Sequence, residues 1–282
     1  MKTYIYRKHL REPIKPAIGV LIYIIGLYLV YATLIYLSIS TFSKNDFFKD
    51  FTITLVGLIV LFLIVLGLLY KFYFKKFKSM SIVVGKENLI YKEKNKNIAI
   101  AYKDVVEVEF PIIKFSRGSF KIKSKDKVIK ITIDVENVGE LIKDIRAKID
   151  KNNSNFQFDE IRFNDFYVTA CYSDDSWQRI YEMIKFIPPF VAINIILAFI
   201  FSFLVYDQAI KLAITTIFLV WPVLALVISE IILFIKQFID IKKNSFNARI
   251  RNHEFENKVL QRVILSFAIL ITICLVYFLK KY

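Results

Sequence analysis

Ser81-Ile82-Val83-Val84, Asn88-Leu89-Ile90-Tyr91, Ile98-Ala99-Ile100-Ala101 and Asp104-Val105-Val106-Glu107-Val108-Glu109-Phe110 succeed one another in residues 78–150, and their reading decides the fold. Apolar and polar positions alternate with the two-residue period of half-buried strands. Polar turns separate them: Gly85-Lys86-Glu87, then Lys94-Asn95-Lys96-Asn97, and the fourth run stops at Pro111. Ile112–Phe115, the turn Ser116-Arg117-Gly118, Phe120–Lys123 and Val128–Ile133 continue the series. The period then changes, because Val135, Val138, Leu141, Ile142, Ile145 and Ile149 fall on one face of a helix. A meander of about seven short strands closed by one helix is expected.

Two features carry a resemblance. The phrase Ile100-Ala101-Tyr102-Lys103-Asp104-Val105-Val106-Glu107-Val108-Glu109-Phe110 places an aromatic and an acidic residue between a short apolar strand and an alternating one, and the helix Glu136–Ile149 closes the segment. In these respects residues 78–150 resemble the bacterial PH-like domains of small membrane proteins. The resemblance covers about a quarter of the chain. It implies a sheet closed into a small barrel, and it brings no invariant active site to carry over.

Outward from this segment the chain is membrane-like. It has 282 residues, of which 56% are hydrophobic, more than an ordinary soluble domain contains. Five apolar spans are expected: Ala17–Ile39 and Phe51–Tyr70 before the strands, and Phe186–Tyr206, Leu212–Ile235 and Val263–Leu279 after them. The first pair forms a hairpin through the loop Thr41–Asp50, and the first span has neither the short apolar region nor the cleavage site of a signal peptide. None of the glycine spacings in the spans is the GxxxG packing motif. The expected fold class is a polytopic α-helical membrane protein of about five spans with, as the resemblance implies, an inserted cytoplasmic β-rich PH-like barrel and its C-terminal helix. Its parts are a basic N-terminus (1–16), a transmembrane hairpin (17–70), the PH-like domain (78–150), a connector (151–185), a second hairpin (186–235), a basic segment (236–262) and a final helix (263–282).

Charge sets the expected orientation. The net charge of +15 raises nucleic acid as a partner, but the basic residues cluster beside apolar spans, where positive-inside topology accounts for them. Only Lys44, Lys49, Lys211, Lys280 and Lys281 then lie outside, so the N-terminus is cytoplasmic and the C-terminus extracytoplasmic. Lys71, Lys75, Lys76 and Lys78 mark a cytoplasmic boundary within reach of anionic headgroups. Abundant Lys, Ile, Asn, Phe and Tyr with few Gly and Pro point to an AT-rich, bacterial genome, and so to a bacterial cytoplasmic membrane.

The connector reads as a linker at Lys151–Asn155, a further strand or two over Phe156–Tyr172, and a helix from Trp177 capped by Ser173-Asp174-Asp175-Ser176. Pro188-Pro189 suit a first helical turn, and Pro222 interrupts the fourth span. Phe246, Ile250 and Phe255 admit either a surface helix or a charged connector between the last two spans.

Candidate sites are few. Lys121, Lys123 and Lys125 alternate on one strand face, with Lys127 and Lys130 near them; they form either a lipid or partner surface or an ordinary solvated face. Asn194 lies inside the third span, where an amide bonds to a neighbouring helix or, less simply, to a substrate. Glu230, the one acidic residue within a span, is a structural or interfacial group or a proton-coupling one. His9 and His253 are isolated, and Cys171 and Cys274 fall in different environments, so neither a metal set nor a disulfide is expected. Val83-Val84-Gly85-Lys86 lacks the rest of a phosphate loop. No cofactor and no enzymatic activity are expected. The leading expectation is a non-enzymatic assembly or partner-docking module, homo-oligomeric or bound to another membrane protein, with the alternative of a small transporter or a transporter accessory subunit.

Overall fold

The computed structural model describes residues 1–38, 44–94, 96–111, 118–183, 187–205, 207–243 and 251–281. It is mostly helical, with two small antiparallel sheets, and the chain divides into two compact units. One is built mainly on Met1–Ile14 and Leu68–Ile180; the other mainly on Lys15–Gly67, Tyr181–Lys236 and the C-terminal helix.

The first unit begins with a strand that the sequence conceals. β1 (Lys2–Ile5) precedes the first apolar helix yet pairs antiparallel with β2 (Ser81–Val84), in the register Lys2↔Val84 to Ile5↔Ser81. β3 (Asn88–Glu93) and β4 (Lys96–Ala101) complete a four-stranded sheet of order β1-β2-β3-β4. A 3₁₀ turn over Tyr102–Asp104 leads to β5 (Glu107–Glu109), β6 (Ser119–Lys123) and β7 (Val128–Thr132), the second sheet. The anticipated strand at Ile112–Phe115 lies outside the described residues.

The expected barrel is corrected. The described strands form two sheets that meet at one corner, where Tyr6 bridges Val135 and Arg7 N–H donates to the Asp134 carbonyl at 2.9 Å. At the other end the 3₁₀ turn diverts the chain, and no ladder joins β4 to the second sheet among the described residues. β5 is only three residues long, too short to carry such a ladder before Pro111 removes a donor.

α1 (Lys8–Arg11) is a single turn, and α5 (Val138–Asn152) is the expected amphipathic helix. α5 buries Val138, Leu141, Ile142, Ile145 and Ile149 on the sheets, a continuous stripe at helical spacing. α6 (Glu160–Met183) overturns the expected strands at 156–172 and the expected cap at 173–176. The Asp159 side chain accepts the Arg162 N–H at 3.1 Å and starts the helix there. Phe163, Phe166, Tyr167 and Ala170 then form one buried face, joining Tyr4, Tyr6, Phe110 and Phe120 in a single core.

In the second unit, α2 (Ile14–Ser38) and α3 (Lys44–Leu69) are the first two apolar helices; α3 absorbs most of the anticipated loop at 41–50. Beyond α3 a π-helical turn, Tyr70–Phe74, leads to α4 (Lys75–Phe77), whose Phe77 is buried against Tyr6 in the core of the first unit. α7 (Ile187–Phe203), α8 (Gln208–Lys243) and α9 (His253–Lys281) follow. Among the described residues, four helical stretches are long and apolar enough to cross a membrane: Ile14–Thr33, Phe47–Phe77, Val220–Gln237 and His253–Tyr277. α7, with 17 residues, rises only about 25 Å. α8 and α9 extend beyond the anticipated spans, and Asn252 caps α9 by accepting the Phe255 N–H at 2.9 Å. Phe246 and Ile250 lie outside the described residues.

Candidate functional site

The lysines singled out by spacing do not form one free basic face. On β6, Phe120 and Ile122 point into the core while Lys121 and Lys123 point out. β5 supplies their counter-charges: Lys121 Nζ lies 3.2 Å from Glu109 Oε1, and Lys123 Nζ lies 3.0 Å from Glu107 Oε2 and 2.7 Å from Glu109 Oε2. Lys123 above all, then Lys121, hold the Glu109 carboxyl below its ordinary value. Lys130 is paired across the ladder with Lys121. Lys125 does not continue the face, because β6 ends at Lys123 and residues 124–127 form the turn to β7, closed by Ser124 N–H donating to the Lys127 carbonyl at 2.8 Å.

That turn forms one wall of a cleft. Ala99–Ala101 of β4, Lys103–Val106 and Ser124–Lys127 enclose a volume of about 440 Å³. Lys127 Nζ crosses it to donate to the Ala99 carbonyl at 3.1 Å. Val106 is 61% exposed in the wall, although its N–H is bonded to the Lys123 carbonyl at 2.9 Å. Lys103 and Lys125 face the cleft with Asp104 and Asp126, and none of these four has an ion-pair partner among the described residues.

A deeply buried charge in the first unit was not anticipated. Arg7 is 3% exposed, and its Nη2 donates to Asp174 Oδ1 at 2.8 Å, to the Ile133 carbonyl at 3.0 Å and to Ser173 Oγ at 3.2 Å. Asp174 stands mid-helix in α6, yet it caps a different helix: its carboxylate accepts the Gly139 N–H at 2.9 Å and the Val138 N–H at 3.3 Å at the start of α5. One carboxylate therefore satisfies two orphan donors and a buried guanidinium. Burial pushes its carboxyl up, against the pull of the Gly139 N–H and Arg7. Next to it, His9 stacks on Trp177 with ring centroids 3.8 Å apart; burial first, then Arg7, lower its pKa to about 4. Burial also raises the Cys171 thiol to about 11, so it is protonated at neutral pH. The arrangement holds α5, α6 and the N-terminal strand together. A helix-period reading of Phe163, Phe166, Tyr167, Ala170, Cys171 and Asp174 would have found half of it; nothing local marks Arg7.

In the second unit Asn194 is 3% exposed and fully engaged. Its Nδ2 donates to the Phe190 carbonyl and its Oδ1 accepts the Trp221 indole N–H, both at 2.7 Å, joining α7 to α8. Glu230 is half-buried on α8, with Ser229 beside it bonded to the Ala225 carbonyl. Arg251 grips Glu182 through both Nη atoms, at 2.9 and 2.8 Å, and Glu256 through Nε at 2.8 Å.

Compared with protein-family models, curated proteins and solved structures, the chain matches none.

Proposed function

We propose that this chain is a non-enzymatic, multi-pass protein of a bacterial cytoplasmic membrane whose PH-like sheet unit is a docking module for other membrane proteins or further copies of itself. The pairing of β1 with β2 carries the reading. Hydrogen-bonded strands share one aqueous compartment, so residues 2–5 and 81–84 lie on the same side of any membrane crossed between them, and the folded unit is tied to that membrane by both ends of α2–α3. Lys71, Lys75, Lys76 and Lys78 favour the cytoplasmic side. Counting α7 as a short fifth span, N-terminus inside and C-terminus outside follow. The buried Arg7–Asp174 pair, which fixes the unit's shape, suits a rigid docking surface better than a mobile one.

The test is the native mass of the full-length protein in mild detergent, with identification of whatever co-purifies. A stable homo-oligomer or a complex with another membrane protein is expected. A lone monomer carrying nothing overturns the reading.

A further inference from the structure

We propose that the outer edge of β4 receives an extended, acidic segment of a partner polypeptide as an added strand. The proposal rests on the docking reading and names the surface and the partner's chemistry. The register identifies the main-chain groups of β4 that β3 does not pair. Gly85 N–H donates to the Asn88 carbonyl at the β2–β3 turn, so the alternating ladder turns Leu89 and Tyr91 toward β4, where Ile100 and Ile98 face them. Tyr102 N–H continues the same ladder to the Glu87 carbonyl at 2.9 Å. Asn97, Ala99 and Ala101 therefore turn their N–H and C=O groups the other way, and the bond from Lys127 Nζ to the Ala99 carbonyl lies on that side.

Ala99 and Ala101 line the cleft, whose 440 Å³ falls within the range of roughly 300–1,000 Å³ that ligand pockets occupy. A donor and an acceptor on every second residue, about 6.8 Å apart, match another extended backbone better than any small ligand. The methyl side chains of Ala99 and Ala101 leave room for it, and Val105 and Val106 line the wall with apolar surface. Three lysines, Lys103, Lys125 and Lys127, outnumber Asp104 and Asp126. An edge lysine ordinarily guards a strand against indiscriminate pairing. Here Lys127 covers one edge acceptor, and a carboxylate on the incoming strand gives its ammonium a stronger partner than a neutral carbonyl.

The test uses the full chain in nanodiscs and a phage-displayed library of random nonapeptides. Recovered peptides are expected to alternate β-branched residues with glutamate or aspartate and to slow amide exchange at Ala99 and Ala101. They should bind Ala99→Pro and Lys127→Glu at least tenfold more weakly. Ala99→Pro removes an N–H that the β3–β4 ladder does not use, and exchange in α5 reports whether the fold survives; Lys127→Glu alone carries the comparison if it does not. Failure to recover peptides, equal binding to the variants, edge protection that depends only on protein concentration, or displacement by phosphatidylglycerol vesicles each overturns the proposal. Native complexes that persist unchanged in both variants remove the edge inference and leave the docking reading standing; a wild-type chain that is a lone monomer removes both.

Discussion

Replacing Asp174 by alanine strips one carboxylate from three donors at once. Among the described residues the Arg7 guanidinium, 3% exposed, keeps only the Ile133 carbonyl and Ser173 Oγ, and the Val138 and Gly139 N–H groups lose their acceptor. Breaking a buried pair from one side costs about 3–5 kcal/mol, and the lower end applies because the Asp174 side chain is 20% exposed. Loss of a helix cap adds about 1 kcal/mol. A total near 4 kcal/mol is a large share of the roughly 5–15 kcal/mol that holds a domain folded. At about 1.4 kcal/mol per decade, amide protection over Leu141–Ile145 should fall about a thousandfold, measured by hydrogen exchange on the full chain in detergent. Asp174→Asn, which keeps an acceptor for Gly139, should lose the charge contribution alone. Arg7→Met with Asp174→Leu should recover most of the loss, because no buried charge is left unpaired. A loss of less than tenfold in the alanine variant would refute the central role given to this pair.

Three further outcomes follow from neighbouring groups. Burial and Arg7 depress His9 to about 4 in the folded state against 6.5 ordinarily, so its contribution is complete above about pH 6.5 and is lost as pH falls toward 4. After discounting for its partial exposure, about 1–2 kcal/mol of the acid-induced loss should vanish in His9→Phe, which keeps a ring on Trp177; identical pH slopes for the two chains would disprove it. Tyr102 is 1% exposed and its hydroxyl has no partner among the described residues, so Tyr102→Phe should stabilise by about 1 kcal/mol in thermal or denaturant unfolding. A Cβ at Gly139 would lie 2.8 Å from Cys171 Sγ, so Gly139→Ala should cost about 1–3 kcal/mol despite alanine's helix preference, and a Cys171→Ala background should relieve most of it.

How much was legible depended on whether a residue's partner was local. Strands β2 to β4 and the α5 stripe follow from periodicity, because each pairs with or packs on a near neighbour in sequence. α6 misled because Phe166-Tyr167-Val168-Thr169 has strand-like composition, and burial on one helical face outweighed that preference. Its 3-1-3-1-3 spacing from Phe163 to Asp174 was the better signal. Lys121 and Lys123 share the outward side of β6, but alternation alone does not tell where a strand turns or that β5 brings Glu107 and Glu109 alongside. Asn194 bonds across from α7 to the Trp221 indole of α8, the kind of contact that an amide on an apolar helix makes. β1 was hidden because a four-residue strand beside basic residues has no period of its own; its pattern becomes readable only once β2 is laid against it.

The concealed strand also changes what counts as the folding unit. Pairing Ile5 with Ser81 closes a loop of roughly 75 residues, and a flexible loop of that length costs on the order of 4 kcal/mol in chain entropy. Two apolar helices occupy most of that loop, so once they form, little flexible chain is left to order. Residues 78–150 by themselves lack this strand. They present the edge of β2, leave the places of Tyr4 and Tyr6 in the core empty, and lose Phe163, Phe166 and Tyr167 of α6. Such a fragment should be loosely packed, binding apolar dyes and exchanging its amides fast. A shortened chain ending at Ile180, with a Gly/Ser linker in place of residues 15–67, restores β1, Arg7 and Asp174 and should recover slow exchange in β2 and α5. Equal protection in the two would mean that residues 2–7 decorate the sheet rather than complete it, and the same-side constraint would then rest on a contact too weak to enforce it.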